Sequence, residues 1–99
     1  MELKIQALHF NATEQLQSFI EKKCLKLEKI HDSITKTDVI LEVVKPETSK
    51  NKQARVSVTF QGGEAFAEKT YDTFEQAVDE CVEAIARQLT KNKEKLREK

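Results

Sequence analysis

Apolar and polar residues alternate at the start of the chain: Leu3, Ile5 and Ala7 are separated by Lys4 and Gln6, the period of a half-buried strand. The period then changes. Leu16, Phe19, Ile20, Leu27 and Ile30 recur at helical spacing, predicting a helix from about Glu14 to Ile30 with Asn11 or Thr13 as its cap. His31-Asp32-Ser33 ends it. Val39, Leu41 and Val43 alternate with Ile40, Glu42 and Val44, a strand apolar enough on both sides to be central, and Pro46 stops it.

Residues 45–52 form a polar loop with three lysines. A third strand follows, with Val56, Val58 and Phe60 on one face and Arg55, Ser57, Thr59 and Gln61 on the other. Gly62-Gly63, the only glycines, supply the positive φ of a hairpin turn into a fourth strand, Glu64 to Thr70. Asp72 or Thr73 caps a second helix, with Thr73-x-x-Gln76 as a capping box. Phe74, Val78, Cys81, Ile85, Leu89 and Leu96 fall on its one apolar stripe. The order is β-α-β-β-β-α. A right-handed crossover followed by an antiparallel meander gives an α+β fold: a four-stranded mixed sheet with two helices packed on one face.

The chain has 99 residues, the size of one domain spanning 1–99. No apolar run is long enough to span a bilayer and no secretion signal precedes the first strand, so a cytoplasmic protein without membrane contact is expected. Cys24 and Cys81 fall at helical positions beside apolar residues and read as buried or half-buried thiols without a disulfide. His9 and His31 are the only histidines, and no nucleophile stands near either at a telling spacing. Neither a metal set nor a phosphate-binding glycine loop is present, so neither cofactor nor catalysis is expected.

Net charge is zero, but its distribution is uneven. Residues 64–83 hold seven acids and one lysine, whereas residues 84–99 hold six bases and two acids. Both stretches lie largely on the second helix, acids first and bases last, as the helix dipole favours. Lys22, Lys26 and Lys29 share one flank of the first helix. Lys23 falls among the apolar positions, either as a lysine snorkelling from the core edge or as an ammonium held at a binding surface. Arg87, Lys91 and Lys95 step by four along the second helix, and Lys93 and Arg97 along its other flank. A solvated basic helix end explains that spacing. So does a set of phosphate contacts, if the two helices join their basic flanks into one rib. Phe10, Phe19, Phe60 and Phe74 read as core, and core packing is also favoured for Phe66 and Tyr71. Base stacking is therefore not the expected mode.

The segment Ala86-Arg87-Gln88-Leu89-Thr90-Lys91-Asn92-Lys93-Glu94-Lys95-Leu96 resembles the closing helix of the ribosome hibernation-promoting and ribosome-associated inhibitor proteins. Phe74-x-x-Ala77-Val78-Asp79 is similar to that family's entry into the same helix, Gly62-Gly63-Glu64 to its hairpin, and Thr13-Glu14-x-Leu16 with Lys23-x-x-Lys26-Leu27 to its first helix. The resemblance implies a β-α-β-β-β-α fold without cofactor. It implies binding to the small ribosomal subunit and its rRNA, in the channel that carries mRNA and tRNA, under stress or in stationary phase. It also implies that translation stops. The residues carried over are Lys23, Lys26, Arg87, Lys91, Lys93 and Lys95; helical geometry adds Lys22, Lys29 and Arg97. Ala7-Leu8-His9 departs from a glycine that many relatives carry near the end of the first strand. The chain resembles the short form, which in some bacteria works with a separate ribosome-dimerising factor, and a monomer is expected off the ribosome. The competing readings are a general double-stranded RNA-binding module and a protein adaptor or homodimer built on the exposed sheet face. The polar row Arg55, Ser57, Thr59 and Gln61 weakens the latter.

Overall fold

A computed structural model describes residues 2–8, 10–31, 33–45 and 50–97, with side-chain surroundings as far as Lys91. The elements are β1 (Glu2–Ala7), α1 (Glu14–Ile30), β2 (Ile34–Val43), β3 (Lys52–Phe60), β4 (Gly63–Tyr71) and α2 (Phe74–Arg97). The strands lie side by side in chain order. β1 is parallel to β2, and the other two pairings are antiparallel. The fold class is the one the alternation predicts.

Local chemistry accounts for the boundaries. The Thr13 hydroxyl, not Asn11, accepts the Leu16 N–H at 3.1 Å and caps α1. Thr73 does the same for the Gln76 N–H at 3.2 Å. Gly62 adopts φ +100°, the left-handed turn conformation, and Gly63 begins β4.

β2 begins at Ile34, well before the alternation at Val39. The cause is a bulge: Ile34 faces Phe60 and Lys36 faces Thr59, so Thr35 is extra. Its hydroxyl donates to the Thr59 carbonyl at 3.2 Å. The bulge breaks the period, and Thr37 then points inward with no exposure. Pro46 and the side chain of Leu96 lie outside the described residues.

The helices cover one sheet face. Val39, Leu41, Ala54, Val56, Val58, Ala65 and Ala67 meet Ile20, Cys24 and Leu27 from α1 and Phe74, Ala77, Val78, Cys81, Val82, Ile85 and Leu89 from α2. Each large side chain so buried stabilises the fold by roughly 1.5–3 kcal/mol. The alanines let α2 approach closely: the Cys81 thiol donates to the Ala54 carbonyl at 3.3 Å and lies 3.6 Å from that of Ala67. Both thiols are free and buried. Phe10 stacks on Phe74 with centroids 5.0 Å apart. α1 packs chiefly against α2, and α2 lies over β3 and β4.

Of the two aromatics favoured for core packing on weaker grounds, Tyr71 does pack against the core and Phe66 does not. Phe66 is 52% exposed on the open face, because strand alternation turns its neighbours Ala65 and Ala67 inward instead. Tyr71 is half-buried, with its hydroxyl 3.4 Å from a Glu80 carboxylate oxygen.

Candidate nucleic-acid interface

The candidate cations sit on two helices that run in the same direction, since both run antiparallel to the neighbouring strands β2 and β4. Lys22, Lys26 and Lys29 are exposed on α1, around a hollow completed by Leu25 and Glu28. Arg87 and Lys91 are exposed on α2, around a hollow completed by Glu83, Ala86 and Thr90. Lys93, Lys95 and Arg97 continue α2, and their side chains lie outside the described residues.

Lys23 is placed differently. Its ammonium lies 2.8 Å from an Asp79 carboxylate oxygen and 5.4 Å from the centre of the Phe19 ring. It therefore ties α1 to α2 across the groove between them, its stem along the core edge. The hydrogen bond to Asp79 raises its pKa above the ordinary lysine value despite partial burial, with further attraction from Glu83. Asp79 and Glu83 line the α1-facing side of α2. Sequence reasoning named Lys23 but missed Asp79 as its partner. The signal was faint: an acid at the start of a helix reads equally well as a dipole-favoured solvent residue.

The rotation of α2 also matters. Gln88 reaches to the other side, donating from Nε2 to the Phe66 carbonyl at 2.9 Å and accepting the Phe66 N–H at 3.3 Å. At about 100° per residue, Arg87 lies between the Asp79 side and the Gln88 side, pointing outward, with Lys91 turned further toward Gln88. The outward surface of the helical layer thus carries two cationic rows, one per helix. The neutralised Lys23–Asp79 pair and Glu83 lie between them.

The described residues hold no group of three or more His, Cys, Asp or Glu suited to a metal ion. No described helix is long and apolar enough to cross a membrane. Fold and surface together define a small α+β domain that presents charge from two parallel helices. The chain belongs to the family described as Sigma 54 modulation protein / S30EA ribosomal protein, which residues 3–97 match. A ribosome hibernation promoting factor of Escherichia coli (strain K12) is 34% identical over 98 residues, covering 99% of each chain. One from Pseudomonas putida (strain KT2440) is 32% identical over 97 residues, 96% of this chain and 89% of the relative. The fold is also that of a ribosomal subunit interface protein from Coxiella burnetii, with TM-score 0.83 at 22% identity over 94% of this chain and 98% of that one. The N-terminal domain of Thermus thermophilus Protein Y gives 0.79 at 22% identity, over 92% and 98%.

Proposed function

We propose that this protein is a ribosome hibernation factor that binds the small ribosomal subunit in the mRNA and tRNA channel and silences translation. The observation that carries the reading is the pair of outward cationic rows, Lys22, Lys26 and Lys29 on α1 and Arg87 and Lys91 on α2, in a chain of the S30EA family. Lys93, Lys95 and Arg97 extend the second row along the helix axis. Phosphates of folded rRNA are the complementary partner, since such contacts need charge and shape rather than exposed aromatic rings. Neutralising about five phosphates gives a log–log salt slope of roughly −3 to −4. The role requires no chemistry, and Lys23 acts as a brace between the helices.

The test is co-sedimentation with purified small subunits, with mRNA or duplex RNA as competitor, alongside translation in a cell-free system. Binding that mRNA displaces and duplex RNA does not, with translation falling in proportion, supports the reading. Equal affinity for free duplex RNA would make the protein a general double-stranded RNA binder instead. The Arg87→Ala, Lys91→Ala, Lys95→Ala triple variant is expected to lose subunit binding. Full co-sedimentation of that variant at physiological salt removes the assigned surface.

A further inference from the structure

One apolar side chain stands inside the cationic row of α1. Leu25 is 53% exposed, one of two large hydrophobic side chains so exposed among the described residues. The other, Phe66, lies on the open sheet face, away from the helices. Leu25 shares a hollow of about 530 Å³ with Lys22, Lys26, Lys29 and Glu28. Along the helix axis it falls between Lys22 and Lys29, which are separated by about 10 Å at 1.5 Å per residue. Around the axis, at about 100° per residue, it is turned roughly 60° from Lys22 and roughly 40° from Lys29. Glu21 and Glu28 follow on its far side, where a second hollow includes Leu3 and Ile5 of β1. Glu28 already has a partner within the protein. Leu25 therefore marks the border between the cations and the carboxylates. An exposed leucine alone implies no partner. The three lysines around this one do, because they define what a surface laid over it must carry.

We infer that Leu25 is an apolar contact within the rRNA interface, packed against a ribose of the strand whose phosphates Lys22 and Lys29 hold. The inference rests on the ribosomal reading and adds to it a residue that charge does not reveal. A backbone held at both lysines passes over Leu25, since Leu25 lies between them on the outward side of α1. Its phosphates stay with the ammonium groups, and the sugar between them offers C–H surface to the leucine. Covering the exposed half of a leucine side chain strengthens binding about fivefold. Charge decides the occupant. An apolar protein segment would cover the three ammonium groups without pairing them, which is costly. A single leucine offers too little apolar area to hold a bilayer. The carboxylates of Glu21 and Glu28 repel phosphates, so the RNA contact ends at Leu25.

The experiment is co-sedimentation with purified small subunits across a salt series, using Leu25→Ala, Leu25→Met and Lys22→Ala. Leu25→Ala should weaken binding about fivefold at every salt concentration and leave the log–log slope unchanged, because no phosphate contact is lost. Leu25→Met keeps the apolar volume and should bind within about twofold of the wild type. Lys22→Ala should instead flatten the slope by up to about 1. Position 25 is exposed and alanine is the best helix former, so Leu25→Ala should keep the wild-type melting temperature. A benzoylphenylalanine photoprobe in place of Leu25 should crosslink to rRNA when the bound subunit is irradiated. Wild-type binding by Leu25→Ala, a slope that moves with it, or a crosslink to a ribosomal protein would overturn the proposal. Failure of the ribosomal reading looks different: the wild-type chain then does not sediment with small subunits, and both fall together.

Discussion

Lys23 and Asp79 form the one described ion pair that joins the two helices, at 2.8 Å, and it stands between two rows of unneutralised cations. A lysine that sequence spacing offers for RNA is thereby occupied within the protein. Its partner also places a carboxylate beside the proposed phosphate surface. Asp79→Asn should free the ammonium and remove that carboxylate, raising affinity for small subunits about threefold at low salt, with less effect at high salt. The melting temperature should change little, because both side chains are partly exposed. Filter binding across a salt series checks this, and weaker binding by Asp79→Asn would mean the brace matters more than the charge.

The two rows should contribute separately to the salt dependence. Lys22→Ala, Lys26→Ala and Lys29→Ala together remove up to three cations, and the slope of log affinity against log salt should flatten by as much as about 3. Arg87→Ala with Lys91→Ala should flatten it by up to about 2. A slope that does not move in either variant places the contact surface elsewhere.

Gln88 acts on the sheet margin opposite β1. Its side-chain amide pairs with both backbone groups of Phe66 as a neighbouring strand would. Gln88→Ala should speed exchange of the Phe66 amide and cost about 1 kcal/mol in urea melts. Unchanged exchange at Phe66 would show the clamp to be dispensable.

Burial pushes the Cys24 thiol up to about 12 and the Cys81 thiol up to about 11, from an ordinary value of 9.0. In the unfolded chain both thiols ionise near the ordinary value, whereas in the fold they keep their protons. Their stabilising contribution is therefore complete below about pH 9 and is lost as pH rises toward 11 and 12. Alkylation in native buffer should proceed only as fast as the protein opens, and melts should weaken above pH 9. Rapid labelling at pH 8 would contradict the burial of these thiols.

Truncating the centre of the core should matter most. Leu41→Ala or Ile85→Ala, both with no exposure, should each cost about 2–5 kcal/mol. Denaturant unfolding measures this directly.

Much of the fold was legible because two periods, two caps and one glycine turn agree with each other. The start of β2 was not, since the bulge at Thr35 breaks the alternation that reveals a strand. Phe66 was misread toward the core because large aromatics are commonly buried. The inward places were already filled by alanines, which α2 needs for its close approach. For the candidate surface, spacing alone placed cations on each helix. It could not give the rotation of one helix against the other, and so could not show that Lys23 turns to Asp79 while Arg87 turns outward.

The two margins of this sheet are unequal: on β4 the Gln88 amide pairs with the backbone of Phe66, whereas among the described residues no side chain does the same along Leu3, Ile5 and Ala7 on β1. Growth of a fibre by strand stacking needs every unit to offer a free border on both sides. A side chain seated on the Phe66 backbone interrupts one of those two borders at that point. The asymmetry therefore makes strand addition easier at the β1 side than at the point where Gln88 sits.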